Sequence, residues 1–405
     1  MPFLSSLSPQ VKQYLIVTGN YWSFTLTDGA LRMLVVLYFH QLGYSPFEVA
    51  MLFLFYEVFG VITNLIGGWL GARLGLNVIM NLGLAIQIAA LSMLLVPVEG
   101  LTVVWVMAAQ ALSGIAKDLN KMSAKSSIKN LVPSGQDQRL FRWVAVLTGS
   151  KNTLKGVGFF LGGLLLNLLG FYSAVLTMAI ALSFVWLISL VLLKPDQTKV
   201  ENNEENKEKN KPKFTDIFSK SSAINTLSAA RLFLFGARDV WFVVALPVYL
   251  SQVLGWSHSQ VGAFFALWII AYGGVQSIAP SLISTTGRLV VVQWAGILVM
   301  VTALLTASVM SGYLMPHILI AGLIIFGVVF AINSSLHSFL IVNFAQADNI
   351  SMDVGFYYMA NACGRLLGTV LSGLIYQLHG LQACLIASTA FLAIATLISI
   401  NLPKK

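Results

Sequence analysis

Glu201–Lys213 reads ENNEENKEKNKPK, a stretch with none of the aliphatic or aromatic side chains that could anchor it to a core. Such a segment buries too little apolar surface to offset the entropy of ordering, and it stays solvated. Its surroundings are the opposite. The chain has 405 residues, of which 57% are hydrophobic and 10% charged, whereas a soluble domain carries roughly 25% charged residues. Outward from the linker the apolar residues come in long runs: Phe171–Leu193 just before it, Val78–Pro97 and Leu289–Ser311 further away. Each is near the roughly 20 residues a helix needs to cross the hydrocarbon core. A solvated linker therefore separates two groups of membrane-spanning helices.

Following the runs and their breakers gives six spans on each side. Before the linker they are Tyr14–Gln41, Pro46–Leu70, Val78–Val98, Leu101–Met122, Phe141–Leu169 and Phe171–Leu193. After it come Ala223–Gln252, Ser259–Ile283, Leu289–Tyr313, Met315–Ile341, Val354–Leu378 and Leu381–Leu402. The expected architecture is an all-α membrane protein of about 12 transmembrane helices. It has an N-terminal six-helix bundle (1–193), a cytoplasmic linker (194–222) and a C-terminal six-helix bundle (223–405). The polar first dozen residues and the lack of a small-residue cleavage site mark the first apolar run as a retained helix rather than a signal peptide.

Lys and Arg placement sets the orientation. Arg73, Lys125, Lys129, Arg139, Arg142, the bases from Lys194 to Lys220, Arg288, Lys404 and Lys405 fall in alternate connections; the others, near Gly43, Glu99, Gly170, Ser257, Met315 and Gly380, hold neither residue type. Both termini are therefore expected inside, in the bacterial inner membrane. The net charge of +9 reflects this topology and the bases within helices, not nucleic-acid binding.

The halves repeat. Leu42–Val49, LGYSPFEV, parallels Leu254–Val261, LGWSHSQV. Lys155, Gly158, Gly163 and Gly170 recur at one fixed offset as Arg365, Gly368, Gly373 and Gly380. Parallel six-helix halves resemble the major facilitator superfamily. The loop Gly68–Asn77, GWLGARLGLN, keeps the glycines and the Arg of that superfamily's helix 2–3 motif, with Ala72 in place of the usual Asp. Gly149, Gly158, Gly162 and Gly163 are similar in spacing to an antiporter helix 5, though such small residues also serve plain helix packing.

The charges inside the spans carry the functional signal. A base at bilayer depth costs roughly 2.5–3.5 kcal/mol and survives by pairing, by meeting water or by binding something. Eight bases lie well inside: Arg32, Lys117, Lys121, Lys151, Lys155, Arg231, Arg238 and Arg365. Four acids accompany them: Asp28, Glu57, Asp118 and Asp239. Four positive charges are thus in surplus, which suits an anionic cargo. Counting at ~1.5 Å per residue puts Asp28, Glu57, Lys155, Arg238, Asp239 and Arg365 near the midplane, where such transporters bind substrate.

The substrate-binding candidates are Arg32, Lys117, Lys151, Lys155, Arg238 and Arg365, with Tyr21 and Asn333 as polar partners. Asp28, Glu57 and Asp239 are the proton-coupling candidates. Asp28 and Arg32, four apart with the acid first, suit an intrahelical pair. Arg238 and Asp239 are adjacent, so their side chains should diverge by roughly 100° and seek different partners. Lys117, Lys121, Lys125 and Lys129 lie on one helix face, either as an anion funnel or, at the outer members, as bases snorkelling to the surface. His337 is as readily a packing residue as a proton carrier.

No catalytic constellation appears, and no phosphate-cradling Gly-rich loop with its Lys and Ser/Thr. The chain is expected to be a gradient-driven carrier, not an enzyme. Cys363 and Cys384 both sit in apolar runs, so no disulfide, cofactor or metal site is expected.

Three segments carry a closer resemblance: Thr18–Leu37, TGNYWSFTLTDGALRMLVVL; Ala111–Lys129, ALSGIAKDLNKMSAKSSIK; and Ser228–Tyr249, SAARLFLFGARDVWFVVALPVY. Together they resemble the ArsJ family of organoarsenical efflux permeases, over nearly the whole chain outside the linker. The resemblance implies export of 1-arseno-3-phosphoglycerate, which a glyceraldehyde-3-phosphate dehydrogenase supplies by using arsenate in place of phosphate. The result would be arsenate resistance, with that dehydrogenase as functional partner and the transporter itself a monomer in the lipid bilayer. Several desolvated Arg and Lys donors fit such an anion, and a pentavalent oxyanion needs no thiol cluster. The alternatives of the same fold are an organophosphate or organic-anion exchanger and a multidrug–proton antiporter; the latter would call for a more apolar, acid-bearing pocket.

Overall fold

The computed structural model describes residues 8–44, 52–133, 135–193, 221–256, 258–283, 287–311, 316–346 and 350–403. Nearly all of the linker, the Ser45–Val49 part of the first repeat and Lys404–Lys405 lie outside the described residues. The described residues form eleven α-helices and one 3-10 turn, with no strand. They are α1 (Pro9–Gln41), α2 (Leu54–Leu74), α3 (Leu76–Met93), α4 (Val103–Leu131), α5 (Asp137–Leu192), α6 (Ser222–Phe242), α7 (Ala245–Gln252), α8 (His258–Leu282), α9 (Arg288–Met310), α10 (Pro316–Phe344) and α11 (Ile350–Ser399). Helices satisfy every backbone group internally, the condition for a chain in lipid. Seven spans, with α6 and α7 taken as one, are long and apolar enough to cross a membrane; α1, α2 and α4, which carry most of the polar cluster described below, are not among them.

The two longest helices each bend at one residue. Gly170 in α5 has φ 74° and ψ 175°, and Gly380 in α11 has φ 72° and ψ −173°. These are matching repeat positions, and the positive φ is open to glycine and strained for other residues. The separate helices expected on either side of each glycine are therefore continuous but for one residue. Conversely, the single helix expected over Ala223–Gln252 is interrupted between α6 and α7. With α5 and α11 each divided at its glycine and α6–α7 taken as one, the described residues form twelve helical segments. Helix α4 runs further than its apolar run suggests, to Leu131 rather than Met122, so Lys125 and Lys129 are helical. Side-chain caps start α4, where Thr102 accepts from the Trp105 N–H, and α6, where Ser221 accepts from Ile224; each meets one orphan donor of a helix N-terminus.

The chain divides into two compact units. Unit 1 comprises residues 1–143, 150–219 and 345–359; unit 2 comprises 144–149, 220–344 and 360–405. In unit 1, α4 is the hub and packs on α1, α2 and α3. Its apolar core includes Leu34, Phe39, Leu91 and Val106. In unit 2 the hub is α10, packed on α6, α8 and α9, with a core around Trp241, Phe326, Phe330 and Leu385. The repeat also shows in close helix approaches. A Cβ on Gly158 of α5 would press on Leu26 and Ala30 of α1, and one on Gly368 of α11 would press on Gly236 and Asp239 of α6.

Candidate functional site

Each unit holds one cluster of charged side chains. In unit 1 it is built from α1, α2 and α4 around Tyr56. The buried Tyr56 hydroxyl donates to both oxygens of Asp28, at 2.8 and 3.0 Å. Its ring lies between two cations: the Arg32 guanidinium at 4.6 Å from the centroid and the Lys117 ammonium at 3.8 Å. Arg32 pairs with Glu57 at 3.3 Å. Asp118, buried, pairs with Lys117 at 3.7 Å and with Lys121. Three bases and three acids thus share one neighbourhood.

This corrects the expected Asp28–Arg32 pair. The tyrosine takes the aspartate, and the arginine reaches a glutamate on the neighbouring helix. A helical i,i+4 spacing permits contact, but a partner from α2 with better geometry wins for both side chains.

In unit 2 the cluster spans α6, α10 and α11. Asp239 is fully buried. Its Oδ1 accepts from Arg238 Nε at 2.6 Å, with Arg238 Nη2 at 2.5 Å, and its Oδ2 accepts from Arg365 Nε at 3.3 Å. The expectation that adjacent Arg238 and Asp239 must find different partners is therefore wrong. Their Cα–Cβ bonds diverge, but the long arginine stem folds back around the helix so that both guanidinium groups share one carboxylate.

Arg231, two turns before Arg238 on the same face, completes the group. Its Nε donates to Asn361 Oδ1 at 2.8 Å and its Nη1 to Ser334 Oγ at 3.2 Å. The Phe235 ring connects the two arginines, with Arg231 at 3.8 Å and Arg238 at 4.9 Å from its centroid. Arg238 also lies against Phe242 and Phe330, a cage of ring faces that favours a cation. Unit 2 contains a single acidic residue, Asp239. Arg238 and Arg365 share that carboxylate, and Arg231 is held by Asn361 and Ser334.

The remaining expected site residues distribute as follows. Lys151 donates to Asn152 at 3.2 Å, and the Lys155 ammonium is 5.9 Å from the Phe159 ring centroid; both lie on α5 in unit 1. Tyr21 is buried in unit 1. Asn333 is buried on α10 and donates to the carbonyls of Trp294 and Val329, at 2.9 and 3.0 Å, so its amide nitrogen joins helices together. His337 is buried one turn beyond Ser334. The lysine face of α4 does not snorkel. Lys125 is 3% exposed and sits with Lys121 against the Tyr358 ring, at 5.0 and 4.5 Å. Lys129 donates to the Ala345 carbonyl.

Arg231, counted among the bases inside the spans, and Phe235 were absent from the substrate-binding candidates read in the sequence. The available signal was the spacing: Arg231, Phe235 and Arg238 fall at i, i+4 and i+7, one stripe of a helix.

A sequence profile described as Major Facilitator Superfamily matches residues 17–350 and 232–404. No curated protein sequence matches the chain. Among solved structures, a bacterial homologue of the iron transporter ferroportin in the outward-facing state superposes with a TM-score of 0.75 at 14% identity, covering 98% of this chain and 99% of that one. The human organic anion transporter MFSD10 (TETRAN) gives 0.73 at 15% identity, with 97% and 100% coverage. The E. coli fucose:proton symporter FucP gives 0.72 at 14%, with the same coverage. At these identities the likeness is one of fold.

Proposed function

We propose that this chain, which belongs to the major facilitator superfamily, is a secondary active exporter of a small, multiply charged organic anion, and that the cargo is the organoarsenical 1-arseno-3-phosphoglycerate. One observation carries the anion reading: two arginines inside the membrane-spanning part of unit 2, Arg238 and Arg365, share a single carboxylate, with Arg231 on the same helix face as Arg238. Arginine forks match tetrahedral oxyanions in charge and donor geometry. The arsenical itself rests on the ArsJ resemblance. In this reading the chain lies in the bacterial inner membrane with both termini in the cytoplasm, as the Lys/Arg asymmetry supports. The two six-helix bundles rock about the cargo, and a glyceraldehyde-3-phosphate dehydrogenase supplies it.

Arg238 and Arg365 grip an oxyanion from their partly exposed sides, 15% and 34% of each side chain, while Asp239 holds them in place from behind. Asp28, Glu57 and Asp239 remain the carboxylates able to take the coupling proton. The test is arsenate tolerance of cells expressing Lys155→Ala, Arg238→Ala or Arg365→Ala at normal membrane abundance. All three should lose tolerance; wild-type tolerance in all three would refute the reading.

A second reading keeps the site and changes the cargo, because an arginine fork accepts phosphate as readily as arsenate. Proteoliposomes given labelled 3-phosphoglycerate without arsenate discriminate: rapid exchange would make the protein an organophosphate exchanger.

A further inference from the structure

We propose that unit 1 holds an internal water site in the seam between α3 and α4, bound by Gln87, Ser113 and Asn120. The site uses no charged side chain and no cargo, so it stands or falls apart from the anion reading.

Three contacts in descending order show that α3 and α4 run antiparallel, and they fix the register. Ser123 donates to the Leu76 carbonyl at one end of the seam. In the middle, a Cβ on Gly83 would meet the Asn120 amide and the Ala116 carbonyl. At the other end the Trp105 indole donates to the Met93 carbonyl at 2.6 Å. Gln87 lies one turn beyond Gly83, and Ser113 one turn before Ala116, so the two fall at one level of the seam. Side chains on a helix lean toward its N-terminus. In an antiparallel pair that tilt carries Gln87 back toward Gly83 and Asn120 back toward Ala116. The two amides therefore converge, and the missing side chain of Gly83 leaves them room.

Gln87, Ser113 and Asn120 are each at 0% exposure. Asn120 Nδ2 donates to the Ala116 carbonyl at 3.0 Å. Gln87 Nε2, Gln87 Oε1, Ser113 Oγ and Asn120 Oδ1 have no hydrogen-bond partner among the described residues. Protein interiors seldom leave such atoms unmatched. Four of them in one seam, donors and acceptors together, suit water, which makes about three hydrogen bonds at a buried site. The donor set does not suit an ion. A hard cation takes about six oxygen ligands, carboxylates among them, whereas this seam offers three neutral oxygens beside an N–H donor. An anion would meet the two amide oxygens.

The experiment uses the full-length protein in lipid, with 15N in its Asn and Gln side chains. Solid-state NMR measures magnetisation transfer from water to each amide, and Gln87→Leu identifies the Gln87 signal. That signal should fill several-fold faster than that of Asn20, an amide that is also buried but donates to Ser189 at 2.8 Å. Thermal unfolding in detergent gives an independent sign. With water in the seam, Gln87→Leu strips that water of two partners and should lower the midpoint by about 2 °C or more. A dry seam would lose two unmatched atoms and gain stability.

Transfer to Gln87 no faster than to Asn20 overturns the proposal, and so does a Gln87→Leu midpoint equal to or above wild type. Should Gln87→Leu fail to elute as a single species, Ser113→Ala takes its place: it must lower the midpoint, and a midpoint equal to or above wild type overturns the proposal.

Discussion

Around Tyr56 three bases meet three acids; in unit 2 two arginines meet one acid, Asp239, while a third, Arg231, lies against Phe235. The two clusters occupy related places in a duplicated chain. Gly29 packs on Gly158 and Gly236 on Gly368, and those partners are repeat equivalents, so Arg32 of α1 falls in register with Asp239 of α6. The same helical position holds opposite signs in the two units. In unit 1 the neighbours restore neutrality: Arg32 finds Glu57, and Asp118 answers two lysines. In unit 2 one acid, Asp239, answers both Arg238 and Arg365. A self-neutral cluster is complete without cargo and suits a framework or proton-handling part. A cluster in which two arginines share one carboxylate suits the binding of an anion.

The largest effect should come from breaking unit 2 at its one acid. Asp239→Ala leaves two arginines facing each other inside the bundle, a loss of about 3–5 kcal/mol for one partner of a buried ion pair. Thermal unfolding in detergent should show a large drop that added phosphomonoester partly recovers. An unfolding midpoint equal to wild type would remove the distinction between the clusters.

Tyr56→Phe sharpens the other side. It strips the hydroxyl donor from buried Asp28 and should cost about 1–3 kcal/mol, with no rescue by phosphomonoester. Rescue there would mean that unit 1 also responds to cargo. The Arg32–Glu57 pair is smaller still, because 25% and 36% of the two side chains are exposed; a double-mutant cycle with Arg32→Gln and Glu57→Gln should give a coupling of at most about 1 kcal/mol. The smallest effect belongs to Lys129→Met. That lysine donates to the carbonyl just past the end of α10, a helix C-terminus where a cation is worth about 0.3–1 kcal/mol.

Span number and helical class were legible because lipid leaves the chain few options: long apolar runs must be helices. The surplus of bases was legible for the same reason, as charges are rare in that medium. Pairing was not. The sequence places Asp28 four residues from Arg32 and Arg238 beside Asp239, and both local rules gave the wrong answer. Which carboxylate a long flexible base reaches depends on helices distant in sequence: Glu57 lies 25 positions from Arg32, and Arg365 lies 126 from Asp239. The extent of α4 was missed because Lys125 and Lys129 look like loop charges by composition. The Tyr358 ring and the Ala345 carbonyl, remote in sequence, help hold them in the fold.

Gly170 and Gly380 each join two spans through one residue, where a hydrophilic loop would otherwise stand. Neither point offers slack. An epitope tag or reporter inserted there would have to push a span out of register, so topology mapping and antibody labelling of this transporter should be directed to the Glu201–Lys213 stretch instead.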